Sequence, residues 1–300
     1  LVFGYELDMK LSDFPGIKQQ VPLKPYSTFG VGGLADYFCE ITDVLSLPDL
    51  VQVAIQDKVP YFVLGGGSNI LFSDKGFRGL VIKIAAKQCQ IVDNTILVDA
   101  GVRWRELMDI VHKAGFGGFE VLGSLPGTIG GAVAGNAGCF GKETSDFVER
   151  VFVYDPLGQK IKDLGKKDLG FAYRNSIIKQ GKLVVLRVVL NLSKVELSGV
   201  DFQGKEISRY EKQPPGKSGG SFFKNPSLDK AAGWLIDQCG LKGLKIGGAQ
   251  ISNKHANFFL NVGGASANDL LELSNRVKED VKKRFGVNLE EEVVIVGESL

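Results

Sequence analysis

The stretch from Gly117 to Glu143, GGFEVLGSLPGTIGGAVAGNAGCFGKE, narrows what this chain can become more than any other. Between Val121 and Gly141 no residue is charged, and seven of those 21 positions are glycine. An uncharged run of that length reaches the span of a membrane. Its glycines, with Ser124, Pro126 and Asn136, make the backbone too polar for one, and Gly127-x-x-x-Gly131 alone is weak evidence of helix pairing. The pattern predicts instead a buried loop that approaches something closely. Glycine admits positive φ and removes the Cβ that would hold backbone N–H groups away from a ligand. Several such groups turned inward form a concavity suited to phosphate or pyrophosphate. A ligand cradle is preferred to the simpler alternative, a glycine-rich turn packed under a sheet.

A second glycine segment has the right context for the same task. The apolar strand Tyr61–Leu64 runs straight into Gly65-Gly66-Gly67-Ser68-Asn69, and a strand feeding a glycine turn is where a phosphate loop is credible. It is not a dinucleotide fingerprint of the Rossmann type. GGGSNILF lacks the GxGxxG spacing and leads into another apolar strand, Ile70–Phe72, not into a helix. Gly216-Lys217-Ser218 resembles the end of a P-loop, but Glu211 occupies the position of the first required glycine.

A chain of 300 residues fits roughly two domains. Net charge is +2, which gives no electrostatic case for nucleic acid or an anionic membrane. Cys39, Cys89, Cys139 and Cys239 are scattered, and His112 and His255 are the only histidines, so no metal site is expected. Scattered cysteines and the lack of a signal-peptide pattern or charge-free apolar helix read as a soluble cytoplasmic protein. A monomer is expected.

Periodicity predicts helices over Leu47–Gln56, Arg103–Ala114, Asp229–Cys239 and Ala267–Phe285. Trp104, Leu107, Val111 and Ala114 share one face of the second, and Gly286 caps the last. Strands are expected over Gly79–Ile84, Thr95–Asp99, Leu183–Leu192 and His255–Asn261. Glu149–Tyr154, a Pro156-Leu157-Gly158 turn and Lys160–Leu164 form a hairpin. The pattern relaxes between Lys194 and Gly204, where a domain boundary is placed.

Four residues carry chemistry by type. Ser221, in GGSFFKNP, lacks the GxSxG elbow of an acyl nucleophile, which leaves structure or proton donation as its use. Arg174 follows an aromatic residue and is the natural two-pronged clamp for a carboxylate or phosphate. Glu290, Glu291 and Glu292 read as solvated charge, except that Glu292 opens an apolar strand, where burial would suit it to acid–base work. His255 reads as a satisfied hydrogen-bonding residue before it reads as a catalyst.

Taken together, VLGGGSNIL, GSLPGTIGGAVAGNAGCFG, YRNSIIK, KQPPGKSGGSFFKNP, SNKHANFFLN and LEEEVVIVG resemble the UDP-N-acetylenolpyruvoylglucosamine reductase family. These flavoenzymes complete UDP-N-acetylmuramate for peptidoglycan and the cell wall. The likeness runs from Ser27-Thr28-Phe29-Gly30 to Glu292-Val293. It implies an α+β fold: a FAD-binding domain of the vanillyl-alcohol-oxidase (PCMH) type over 1–195, then an α+β substrate domain over 196–300. The first divides into subdomains near 1–84 and 85–195, and the terminal strand near 293–297 is open to returning to it.

The resemblance further implies non-covalent FAD, reduced by NADPH as co-substrate, and an enolpyruvyl UDP-sugar as the acceptor. By position it makes Arg174 the carboxylate clamp, Ser221 the proton donor and Glu292 a second group on the carboxylate. It carries substrate contact onto Tyr173, Lys212, Asn225 and His255. Cofactor contacts fall on Gly65, Gly66, Gly67, Ser68, Asn69, Ser124, Pro126, Gly127, Thr128, Gly131, Ala132, Asn136 and Gly138. Val294 and Ser27 depart from common family residues. The short interval from Arg174 to Lys212 matches the subclass that lacks an extra closing loop. Another FAD oxidase on the same fold and a non-catalytic flavin module are the rival readings. His112, on a helix, is poorly placed for the covalent flavin link of many such oxidases.

Overall fold

The computed structural model describes residues 9–180, 183–194, 213–227 and 229–297. The expected boundary beyond Lys194 and the contact position Lys212 lie outside the described residues. The chain divides into two compact units, each assembled from separate stretches of sequence. The first takes Leu1–Gln19, Tyr37–Gly66 and Gly79–Glu206, and the second Gln20–Asp36, Gly67–Arg78 and Ile207–Leu300.

The longer strands begin with β1 (Lys18–Pro22), β2 (Leu34–Ile41), β3 (Tyr61–Leu64), β4 (Ile70–Phe72), β5 (Phe77–Ile84), β6 (Cys89–Val92) and β7 (Thr95–Asp99). They continue with β8 (Val148–Asp155), β9 (Lys160–Gly165), β10 (Val184–Asn191), β11 (Ala249–Ile251), β12 (Phe259–Asn261) and β13 (Val294–Val296). The described α-helices are α1 (Leu47–Gln56), α2 (Trp104–Lys113), α3 (Ile129–Gly135), α4 (Ala232–Gln238) and α5 (Ala267–Phe285).

In the first unit, an antiparallel sheet runs in the order β9-β8-β10-β7-β6. Its β8–β9 hairpin turns where the Asp155 carboxylate accepts from the N–H groups of Leu157 and Gly158, both at 3.1 Å. Strand β3 pairs in parallel with β5. Helix α1 buries Leu47, Leu50, Val51 and Ala54, and α2 buries Trp104, Leu107, Met108 and Val111. Ala114, expected on that face, is the exposed C-cap; Met108 takes its place because the helix ends at Lys113.

The stretch 117–143 is not one continuous loop. Helix α3 forms inside it, although glycine disfavours a helix by about 1 kcal/mol per residue relative to alanine. Tertiary contacts oppose that cost. Ile129 and Gly130 donate to the carbonyls of Val102 (2.8 Å) and Ala100 (2.9 Å), which ties the first turn of α3 to the chain after β7. A Cβ on Gly130 would sit 2.7 Å from that of Ala100, so only glycine lets the helix come this close. The helix stops at Asn136, in the left-handed region at φ 43°.

In the second unit, α5 has the bounds its sequence predicts. Ser266 and Asp269 cap each other's N–H groups, both at 3.0 Å, and Gly286 ends the helix at φ 68°. Asp74 adds a second cap, accepting from Ala267 (2.8 Å) and Asn268 (3.0 Å). Leu270, Leu273, Val277 and Val281 face the core with Phe222, Phe223 and Phe259. Strands β11 and β12 are antiparallel, and β13 pairs in parallel with β4.

Two expected elements are shorter than their patterns. The strand over His255–Asn261 begins only at Phe259. Ser252 Oγ accepts from Lys254 (3.0 Å) and His255 (3.3 Å), and Phe258 donates to the His255 carbonyl at 2.9 Å, so the first four residues form a turn. The helix expected from Asp229 starts at Ala232, whose N–H is claimed by Asn225 Oδ1 at 3.0 Å. Among the described residues, no helix is long and apolar enough to cross a membrane.

Candidate functional site

The glycine segments owe their conformation to close backbone approach. In the first unit, a Cβ on Gly65 would lie 2.6 Å from Thr128 Oγ1, and one on Gly66 would lie 2.5 Å from Gly127 Cα. The two segments singled out in the sequence therefore touch through bare backbone. Lys83 Nζ donates to the Gly65 carbonyl, and burial together with the nearby Arg103 charge lowers its pKa. Arg103 itself pairs with Thr128. Lys83 and Arg103 thus sit beside the two glycine segments, and Gly131 stays exposed at the start of α3. These residues fit an extended diphosphate. The N–H groups of Ile129 and Gly130, spent on the carbonyls of Val102 and Ala100, are not part of that surface.

Other residues expected on the cofactor also make contacts within the fold. Asn136 is 1% exposed; its amide donates to Glu143 (2.7 Å) and the Ala172 carbonyl (3.1 Å), and its oxygen accepts from Ser145 (3.0 Å). Thr128 caps α3, and a Cβ on Gly138 would strike the Lys142 carbonyl at 2.4 Å. Ser124 and Gly127 lie along the same segment; Pro126 is exposed and Ala132 is buried.

Arg174 sits at the tip of a tight turn. Ala172 and Asn175 exchange N–H···O bonds, both at 3.1 Å, around Tyr173 and Arg174. Arg174 has φ 54°, a left-handed conformation that costs a residue with a Cβ about 1–2 kcal/mol. The surroundings enforce it. Asn136 holds the Ala172 carbonyl, Ser176 Oγ donates to the Ala134 carbonyl at 2.7 Å, and Lys179 donates to the Arg174 carbonyl at 3.1 Å. The guanidinium lies 5.0 Å from the Tyr173 ring centroid and donates to the Gly138 carbonyl at 3.3 Å. Strain of this kind, over-determined by neighbours, marks functional positions.

In the second unit, Ser221 and Glu292 belong to one network. The segment 221–224 is extended, with Ser221 opposite Phe258 on one side and Phe223 opposite Glu291 on the other. Glu292 donates its N–H to the Phe222 carbonyl at 2.8 Å, and Asn69 Nδ2 donates to the Glu292 carbonyl at 2.9 Å. Asn69, expected on the cofactor, thus anchors Glu292, while Gly67 (φ 67°) leaves no room for a Cβ beside the Tyr26 carbonyl at 1.9 Å; Ser68 lies half-buried between them. Beneath Ser221, Phe222 stacks on Phe259 with centroids 4.3 Å apart. Of the three glutamates, Glu290 pairs with Lys224 and Glu291 with Lys278 and Ser274, which separates their roles from that of Glu292.

Asn257 was not singled out by its sequence, yet it holds this strip in place. Its amide donates to the Phe223 carbonyl (2.8 Å), its oxygen accepts from the Phe223 N–H (2.9 Å), and its own carbonyl accepts from Phe222 (2.7 Å). The side chain acts as an added piece of strand. Asn257→Ala strands two buried backbone groups of Phe223, each worth about 1–3 kcal/mol when unsatisfied. We expect about 2–4 kcal/mol of destabilisation in urea unfolding; a loss under about 0.5 kcal/mol, the size of an ordinary surface change, would remove Asn257 from this role.

Of the remaining predicted contacts, Asn225 and His255 belong to the second unit. Asn225 is exposed and caps α4, and Tyr173 in the first unit is half exposed. Burial lowers the pKa of His255, which keeps the ring neutral; Nδ1 accepts from the Asn257 N–H at 3.3 Å and the ring meets Phe258 edge-on. His112 is paired with Glu120 at 3.4 Å.

Comparison with known proteins identifies both parts of the chain. Residues 35–163 match the profile of the FAD binding domain, and residues 210–296 that of the UDP-N-acetylenolpyruvoylglucosamine reductase C-terminal domain. A UDP-N-acetylenolpyruvoylglucosamine reductase from Caldanaerobacter subterraneus subsp. tengcongensis is 38% identical over 281 residues, 92% of each chain. One from Clostridium novyi is 36% identical over 99% of both chains. The crystal structure of the Thermus caldophilus enzyme is similar with a TM-score of 0.78 and 35% identity, covering 92% of this chain and 97% of that one. The α+β architecture expected from the resemblance, a FAD-binding domain followed by a C-terminal domain, is the one found, and FAD is the cofactor. The chain is a FAD-dependent oxidoreductase and belongs to the UDP-N-acetylenolpyruvoylglucosamine reductase family.

Proposed function

We propose that the protein reduces UDP-N-acetylglucosamine enolpyruvate to UDP-N-acetylmuramate at the expense of NADPH, in the cytoplasm, as a step of peptidoglycan precursor synthesis. FAD, when bound, supplies the hydride that adds to the methylene carbon of the enolpyruvyl double bond. The adjacent carbon takes a proton, so one hydride and one proton saturate the bond.

The residues of this chain have separate tasks in that reaction. Arg174 holds the substrate carboxylate, next to which negative charge develops as hydride arrives. A donor aimed at charge that appears only in the transition state contributes on the order of 3–4 kcal/mol. Ser221 Oγ delivers the proton, and Glu292 orients the carboxylate from the same strip. Tyr173, Lys212, Asn225 and His255 contact the substrate. The glycine surface around Gly65, Gly66 and Gly131, with Lys83 and Arg103, takes the FAD diphosphate.

The observation that carries this reading is the strip in which Asn69, Glu292, Phe222 and Ser221 are joined by consecutive short hydrogen bonds and strand pairing. A module that merely stored flavin would have no use for a serine and a glutamate brought onto one strip of paired backbone. The test is spectroscopic. NADPH added without oxygen should bleach the yellow protein, and only the enolpyruvyl nucleotide should restore the colour. Return of colour with a simple alcohol's oxidation product, or no response to the nucleotide, would refute the proposal.

A further inference from the structure

We propose that a cleft in the second unit, lined by Lys24, Pro25, Ser27, Thr28, Gly30 and Lys217, is a subsite for the phosphate groups of a nucleotide co-substrate. This deepens the reaction proposed above and rests on it for the identity of the nucleotide. The cleft has a volume of about 330 Å³, and none of the described residues that line it is acidic. Neither lysine enters an ion pair among the described residues. Two lysines lining one concavity with no partner between them favour an anion there, and lysine binds phosphate as a point charge.

The lysine is placed, not merely exposed. Gly30 has φ 64°, and the stem of Lys217 crosses it so closely that a Cβ would sit 3.0 Å from Lys217 Cδ. The Lys217 carbonyl accepts from the Asn261 N–H at 2.9 Å, and Asn261 Nδ2 donates to the Phe29 carbonyl at 2.9 Å, so one residue fastens both walls. Ser27 Oγ is used internally, donating to the Ile70 carbonyl at 2.7 Å. The Thr28 hydroxyl is held only loosely, 3.4 Å from the Gly67 carbonyl, and can turn to an anion. Thr28 N–H also donates to Gly67 at 3.1 Å, which places the cleft on the glycine turn that leads to Asn69 and Glu292.

Either co-substrate brings the right chemistry: the diphosphate of the UDP-sugar, or the phosphates of NADPH. The experiment compares the holoenzyme with Lys217→Glu, Lys24→Glu and the double variant, with Lys217→Arg as the charge-preserving control. Steady-state KM is measured for the enolpyruvyl nucleotide, for NADPH and for NADH. Loss of a charge-assisted contact should raise the KM of one co-substrate about tenfold or more, and arginine should recover most of it. A rise confined to the enolpyruvyl nucleotide assigns the cleft to its diphosphate. A rise shared by NADPH and NADH assigns it to the dinucleotide diphosphate, and one confined to NADPH to the 2′-phosphate. No change beyond about twofold in the double variant, within the scatter of such constants, overturns the subsite. If charge reversal prevents folding, Lys24→Gln with Lys217→Gln gives the same comparison with a smaller effect. Should the wild type not act on the enolpyruvyl nucleotide at all, the reaction has failed and the cleft is read separately by calorimetric titration with inorganic pyrophosphate. Binding lost in the double variant supports the subsite, and equal or absent binding in both proteins overturns it.

Discussion

Ser221→Ala is expected to accept hydride from NADPH at the wild-type rate and to reoxidise with the enolpyruvyl nucleotide about 10²–10⁴ times more slowly, the range supplied by a positioned proton donor. The two half-reactions separate because only the second needs a proton on carbon. The substitution removes one oxygen and leaves the strip intact: Phe222 and Phe223 are fully buried, and their backbone bonds to Asn257 and Glu292 do not involve the serine hydroxyl. Anaerobic stopped-flow absorbance resolves the halves. Normal reoxidation of the variant would take Ser221 out of the mechanism, and slow reduction by NADPH would show that the change reached the flavin instead.

Gly66→Ala should yield a folded protein that has lost its colour. Carbon atoms pack at about 3.5–4.0 Å, and the new methyl would lie 2.5 Å from Gly127 Cα, with backbone on both sides. The two glycine segments must move apart. Overpacking of this kind costs about 1–3 kcal/mol, or roughly a 10–100-fold loss of FAD affinity if the displacement falls on the cofactor surface. Gly135→Ala is the matched control. Nothing lies within 4 Å of its Cβ position, and the residue is helical, so alanine should raise stability by about 0.5–1 kcal/mol with colour retained. Flavin absorbance per protein after desalting reads both. Full occupancy of Gly66→Ala would mean that the segments are not the flavin cradle.

How legible each part was depends on the range of the forces that made it. Helix α5 could be bounded to the residue because its signals are local: Ser266 and Asp269 cap one end, Gly286 the other, and the apolar spacing lies between. Helix α3 could not, because its first turn is held by carbonyls of Ala100 and Val102, some 30 residues earlier, against the preference of its own glycines. The same contrast holds for the site. Ser221, Arg174 and Glu292 were named from residue type and family likeness. Asn257 was missed, since an asparagine is committed to Phe223 only by the fold. Asn69 and Asn136, expected on the cofactor, also hold backbone, one at Glu292 and one beside Arg174, a use that only the fold reveals.

The left-handed backbone of Arg174 has an evolutionary consequence. A glycine or asparagine there would relax the turn and raise stability by about 1 kcal/mol, while removing the carboxylate clamp proposed for this side chain. Selection for heat tolerance alone would therefore drift toward inactive protein at this position, and a library screened on melting temperature should be enriched in exactly those losses.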